Sequence, residues 1–121
     1  MVGEVIEELQ ISIEKCLAIG IKKDRIIVDP GIGFAKTVDQ NLRLIEQLHR
    51  LKKLHCPVLL GTSRKSFIGK ILDNEANHRL MGTAATVTAG IMRGAHIVRV
   101  HDVRAIKETI KVTDAILNSH S

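Results

Sequence analysis

Between residues 4 and 18, Val5, Ile6, Leu9, Ile13 and Leu17 keep largely to spacings of three and four, with acids placed early. This pattern predicts an amphipathic helix, stopped at Gly20. The period then changes: Ile26, Ile27 and Val28 are three successive β-branched residues ahead of Pro30-Gly31. They predict a short strand over 25–29, buried on both faces as in parallel sheets. Helical spacing returns over 39–54 with Leu44, Ile45, Leu48 and Leu51, and the apolar run at 57–61 predicts a second buried strand.

Residues 66–72 suit a short helix and the polar stretch 73–78 a loop. Residues 79–93 predict a thin helix, since Gly, Ala and Thr dominate from Gly82 to Gly90 and permit close backbone approach. Gly94 ends it, residues 96–101 predict a third strand, and Ile106, Ile110, Thr113 and Leu117 mark a last helix. A helix followed by three strand–helix units with short connections implies an α/β chain with a parallel sheet and right-handed crossovers.

With 121 residues, 45% of them apolar and 26% charged, the chain reads as one soluble globular domain at most. No apolar run approaches the roughly 18 residues of a membrane span. Met1-Val2-Gly3-Glu4 lacks the character of a signal peptide, so a cytoplasmic location is expected. Cys16 and Cys56 lie far apart without CxxC or Cys/His spacing, which suggests core residues and neither a disulfide framework nor a zinc site. Eighteen Lys and Arg against 13 Asp and Glu suit an anionic partner, but the excess is not gathered into a tract. With two Phe and no Tyr or Trp, a base-stacking surface is not supported. A phosphorylated small molecule fits better than nucleic acid or a membrane.

Each predicted strand leads into polar residues: Asp29 after the first, Ser63-Arg64-Lys65 after the second, and Arg99, His101 and Asp102 in or after the third. In a parallel sheet these ends face the same way, and α/β proteins bind ligands there, in open sheets and in barrels. Asp29 can accept hydrogen bonds from an amino-heterocycle, while Lys65 and Arg99 can hold a carbonyl or an anion.

Taken singly, each residue also has a structural role open to it. Asp29 before Pro-Gly fits a turn cap, Ser63 and Ser66 fit helix caps, and Arg64-Lys65 fits a solvated loop pair. His101-Asp102 fits a helix N-terminus. The joint placement of the three strand ends carries the functional reading. His49, His55, His78, His96 and His120 show no pairing and receive no chemistry. Gly31-Ile32-Gly33 lacks the third glycine of a dinucleotide loop, and Lys36 does not complete a Walker sequence.

DPGIGF at 29–34, GTSRKS at 61–66 and VRVHDV at 98–103 closely resemble, in order, three signature segments of the dihydropteroate synthase family. GTAA at 82–85 is similar to the family's small-residue helix. The resemblance implies a (β/α)8 barrel binding its substrates at the C-terminal mouth. It also implies the joining of p-aminobenzoate to 6-hydroxymethyl-7,8-dihydropterin diphosphate, with release of diphosphate and with Mg2+ as cofactor.

By resemblance, Asp29, Lys65 and Arg99 bind the pterin, and Arg99 and His101 bind the diphosphate. Phe34, Ser63 and Arg64 border the p-aminobenzoate site. Ala35 departs from the family's common Gly-Phe-Gly-Lys, and alanine does not readily adopt φ > 0. If the loop needs that geometry, the p-aminobenzoate side is altered; otherwise the change is harmless.

A (β/α)8 barrel usually needs about 250 residues. The chain is therefore expected to be a partial TIM barrel, its last three parallel strands with flanking helices. Residues 1–121 would be the incomplete C-terminal portion of a pterin-binding barrel domain. The magnesium ligand and further pterin contacts would lie in the absent N-terminal part, leaving the chain inactive alone.

Three strands covered on one side would expose the barrel-lining face and two edges, favouring self-association or pairing with an N-terminal half. The alternative is a non-catalytic truncated fragment that binds an anion or a partner chain. A pterin-binding methyltransferase barrel fits less well, because the cations of SRKS and VRVHDV suit a diphosphate leaving group.

Overall fold

The helices follow the hydrophobic periodicity, with one division that the periodicity conceals. In the computed structural model, which describes residues 1–119, helix α1 spans Val2–Ala18 and buries Val2, Ile6 and Ile13. His120 lies outside the described residues. Helix α2, Val38–Glu46, starts at a capping box. The Gln40 N–H donates to Thr37 Oγ1 at 3.1 Å, and the Thr37 N–H donates to Gln40 Oε1 at 2.9 Å.

The single helix expected over 39–54 stops at Glu46 and gives way to a 3-10 segment, Leu48–Leu54. Leu48, Leu51 and Leu54 are all buried, and three residues per turn stack them on one face, which 3.6 would spread apart. His55, with φ 56°, ends the segment. Helices α3 (Ser66–Leu72), α4 (Leu80–Met92) and α5 (Val103–Leu117) follow, with a short 3-10 turn, Ala76–His78, inside the expected loop.

Strands are shorter than the apolar runs suggest. β1 (Leu59–Leu60) and β2 (Ile97–Val98) pair in parallel, Leu59 opposite Ile97 and Leu60 opposite Val98. The strand expected over 25–29 is reduced to one parallel bridge, Val28 to Val58. There the Val28 N–H donates to the Pro57 carbonyl at 2.9 Å, and the Leu59 N–H to the Val28 carbonyl at 2.8 Å. A 3-10 turn over Lys23–Arg25 takes the residues before it, and a turn closed by Asp29 takes those after.

Burial on both faces is likewise corrected. Val28, Val58 and Leu60 are buried, but Ile27 is 54% and Ile97 37% exposed. Side chains alternate along a strand, and the helices cover one face, so every second apolar residue looks into solvent.

The core lies between that covered face and the helices, where Leu44, Leu48, Leu51, Leu60, Phe67 and Ile106 are essentially inaccessible. The thin helix α4 packs as its composition implies. A side chain at Gly82 would run into Ile68, and one at Gly90 into Leu60, so the two glycines let α4 approach α3 and β1 closely. The Thr88 and Thr113 hydroxyls bond at 3.0 Å between α4 and α5. Cys56 is buried, Cys16 partly so, and both are free thiols. Among the described residues, no helix is long and apolar enough to cross a membrane.

Replacing Gly90 with Ala sets two effects against each other. Helix propensity favours Ala by about 1 kcal/mol, whereas forcing a methyl into a packed core costs about 1–3 kcal/mol. Leu60, at 1% exposure, has little room to turn aside, so Gly90→Ala is expected to lower the urea midpoint. A raised midpoint would show that Leu60 yields.

Candidate functional site

Backbone geometry at the first strand end is set by its own polar groups. Asp29 does close the turn, its Oδ1 accepting the Gly31 N–H at 2.9 Å. Downstream, the Gly33 N–H donates to the buried Asn41 Oδ1 at 2.8 Å, and Lys36 Nζ donates to the carbonyls of Gly31 (2.8 Å) and Phe34 (3.1 Å). Lys36 is therefore a staple within the loop. Ala35 adopts φ 52°, the left-handed geometry that alanine enters at a cost of about 1–2 kcal/mol. The loop is built around that conformation even without glycine there.

The second strand end is held more firmly. Gly61, Thr62 and Ser63 are buried, and Arg64 turns the chain with φ 56°. The Arg64 N–H donates to Thr83 Oγ1 at 3.0 Å, and its carbonyl accepts from Arg79 Nη1 at 2.8 Å. Two residues further back, Thr62 Oγ1 and Thr86 Oγ1 are 2.7 Å apart. Sequence reasoning missed Arg79, Thr83 and Thr86 and treated the two threonines as small spacers. The signal available was their spacing of three, which puts both hydroxyls on the face of α4 turned to this loop.

Two adjacent residues of this loop clasp two adjacent residues of the third strand end. Ser63 Oγ lies 2.7 Å from His101 Nδ1 and accepts the His101 backbone N–H at 3.1 Å. Arg64 donates to both carboxylate oxygens of Asp102, from Nη2 at 2.8 Å and from Nε at 3.2 Å. This is the forked geometry that guanidinium and carboxylate share. The capping alternatives are not what these side chains do: Asp102 precedes α5 and Lys65 precedes α3, and neither helix receives a side-chain cap bond. The hydrogen bond from Arg64 holds the Asp102 carboxyl below its ordinary range, and Asp102 raises Arg64 in return.

Lys65 and Arg99 are the cations left facing outward. Lys65 Nζ donates to the Ile32 carbonyl and sits 4.9 Å from the centroid of the exposed Phe34 ring. Partial burial pushes the Lys65 ammonium below the usual lysine range; Asp29 opposes this, while Arg99 and Lys36 reinforce it. The Arg99 guanidinium lies across Gly61, where a Cβ would stand 2.9 Å from Nη2. The missing side chain at Gly61 is what admits it.

The arrangement brings Ser63, Lys65, Arg99 and His101 around one hollow of about 400 Å3, completed by Gly61 and Val100. Asp29 stands close enough to Lys65 to act on its charge, and Phe34 covers the same ammonium. Arg64 does not line the hollow; it braces it from behind. A larger hollow of about 740 Å3 lies among α2, α3 and α4, lined by apolar residues such as Leu42, Ile71 and Leu72. It gathers none of these polar groups. Chemically, two cations and an imidazole on one side with a carboxylate nearby suit a polar heterocycle that carries an anionic group. Among the described residues, no cluster of three His, Cys, Asp or Glu side chains fits a metal ion.

Comparison with known proteins gives this geometry a context. Residues 1–101 match the family described as pterin binding enzyme. Dihydropteroate synthase of Synechocystis sp. is 48% identical over 117 residues, covering 96% of this chain and 40% of the relative. That of Bacillus subtilis is 47% identical over 118 residues, covering 98% and 40%. The solved structure of dihydropteroate synthase from Xanthomonas albilineans in complex with 7,8-dihydropteroate superposes with a TM-score of 0.95 at 37% identity. It covers 98% of this chain, which spans 47% of that one. The chain thus spans about two fifths of the length of the curated relatives it matches, and its fold is part of a TIM-barrel-type α/β architecture.

Two expectations follow from the electrostatics. Because the Asp102 carboxyl is depressed in the folded chain, its contribution to stability is fully present above the ordinary carboxylate value of about 3.9 and is lost as pH falls through the folded value. Asp102→Asn should lower stability at neutral pH and flatten the acid limb below about pH 4, read from denaturant midpoints across a pH series. Lys65 should respond to its neighbours in opposite directions, raised by Arg99→Gln and lowered further by Asp29→Asn. The 13C shift of Lys65 Cε followed through its titration checks both signs.

Proposed function

Because the chain belongs to the pterin-binding enzyme family, we propose that it is the C-terminal portion, residues 1–121, of the barrel domain of a dihydropteroate synthase. It would supply the pterin and diphosphate contacts for condensing 6-hydroxymethyl-7,8-dihydropterin diphosphate with p-aminobenzoate. The observation that carries this reading is the convergence of Lys65, Arg99 and His101 on one hollow, with Asp29 acting on Lys65 from the neighbouring strand end.

In this reading Asp29 accepts hydrogen bonds from the amino-pyrimidine edge of the pterin, and Lys65 holds its carbonyl side. Arg99 lies against the ring and reaches the diphosphate together with His101. Phe34, exposed beside Lys65, borders the p-aminobenzoate site, and Ser63 and Arg64 serve that border through the loop they fix.

The reaction breaks the carbon–oxygen bond between the pterin methylene and the diphosphate, whose leaving oxygen takes the electron pair. Negative charge grows on the leaving group, and Arg99 and His101 answer it without having to reorganise. The amine of p-aminobenzoate attacks the methylene carbon and then loses a proton, with no covalent intermediate on the protein. Magnesium belongs to this chemistry by resemblance. Among the described residues no group of three His, Cys, Asp or Glu side chains would hold it, and its ligand would lie in the N-terminal portion.

The uncovered sheet face, with Ile27 and Ile97 exposed, and the two-fifths coverage of the relatives support pairing with the strands of an N-terminal portion. Coverage alone also fits a non-catalytic fragment, and one assay separates the two. Purified chain is given magnesium, the pterin diphosphate and p-aminobenzoate, and diphosphate release is measured with Lys65→Ala as the blank. No release is expected from the chain alone, and Lys65-dependent release is expected once the N-terminal portion of a homologous synthase is added. Silence after that addition would favour the non-catalytic fragment. Lys65-dependent turnover by the chain alone would show that self-association rebuilds a working mouth.

A further inference from the structure

His101 lines the hollow, and its chemistry does not fix which ring nitrogen donates, because either nitrogen of a neutral imidazole can carry the proton. We infer that Ser63 is a positioning residue that sets the tautomer of His101, so that Nδ1 accepts and Nε2–H is presented to the hollow as a donor.

The geometry argues this by elimination. Ser63 Oγ already accepts the backbone N–H of His101 at 3.1 Å. Its own proton needs an acceptor, because the residue is only 6% exposed and a buried donor without a partner costs about 1–3 kcal/mol. Among the described residues, the one acceptor within reach is His101 Nδ1, at 2.7 Å. If Nδ1 carried the proton instead, it would donate to Oγ and leave the serine hydroxyl proton without a partner among the described residues. With Nδ1 accepting, the ring proton stands on Nε2, which has no partner among the described residues, while His101 lines the hollow beside Arg99.

The consequence for chemistry rests on the reading proposed above: a neutral His101 would still offer an N–H to a diphosphate oxygen, and would not turn a lone pair toward it. The same two hydrogen bonds orient the ring, so one buried hydroxyl sets both direction and polarity.

The structure supplies an internal reference. His96 Nδ1 accepts the Val58 backbone N–H at 3.0 Å, which fixes the same tautomer there without any help from Ser63.

The test is long-range 1H–15N correlation of the imidazoles in the isolated chain, at a pH well above the ordinary imidazole range, with His101 assigned from His101→Gln. In the parent chain, His101 should show an acceptor-type Nδ1 shift and a protonated-type Nε2 shift, matching His96. In Ser63→Ala the separation between the two His101 shifts should narrow while His96 stays unchanged, which also verifies folding. A protonated Nδ1 in the parent, or an unchanged separation in Ser63→Ala, would overturn the inference, and the first of these needs no variant to fold.

Titration with inorganic diphosphate then separates the two readings. A shift of the His101 Nε2 proton supports both. A fixed tautomer with no response to diphosphate would count against the diphosphate reading of the hollow and leave the role of Ser63 standing.

Discussion

Arg64 is the residue on which the site depends, and it acts by being fully committed. Its φ of 56° turns the chain out of the strand, its N–H is held by Thr83, its carbonyl by Arg79, and its guanidinium by Asp102. A non-glycine residue in this conformation is disfavoured by about 1–2 kcal/mol. The surrounding hydrogen bonds over-determine it, as strained backbone at functional positions requires. Because Arg64 is anchored in three directions, Lys65 emerges from the turn in one direction, over the 29–36 loop and under the Phe34 ring.

The charges around the hollow follow from that placement. Lys65 loses water by partial burial and faces two further cations, with Asp29 as the opposing acid. Asp29 is the one acid that acts on Lys65, and the Asp102 carboxylate is taken up by Arg64. A negative charge placed between Lys65 and Arg99 would lower their mutual repulsion, which is the electrostatic ground for the function proposed above.

Beneath the site, the decisive constraint is close packing of α4. Its glycines bring the helix against Leu60 and Ile68, and its threonines then reach the loop after β1. A bulkier helix would hold those hydroxyls away from Thr62 and Arg64. The same helix thus serves as core on one side and as scaffold for the candidate site on the other.

Much of this was legible in the residues themselves. The helical stretches, the thinness of residues 79–93 and the gathering of Asp29, Lys65, Arg99 and His101 at strand ends follow from period and from the common direction of parallel strands. Three features were not. The strand at 25–29 shrinks to Val28 because turns on either side claim its neighbours, and β propensity cannot see them. The helix over 39–54 divides because spacings of three and four overlap in Leu44, Ile45, Leu48 and Leu51, and burial alone selects the 3-10 turn.

The pairing of Ser63 with His101 and of Arg64 with Asp102 joins residues 38 positions apart. Local sequence determines what each residue prefers and which way its strand points. Which partner satisfies it is decided only when the register of β1 and β2 brings the two loops together, because hydrogen bonds act over about 3 Å and chain position carries no such distance.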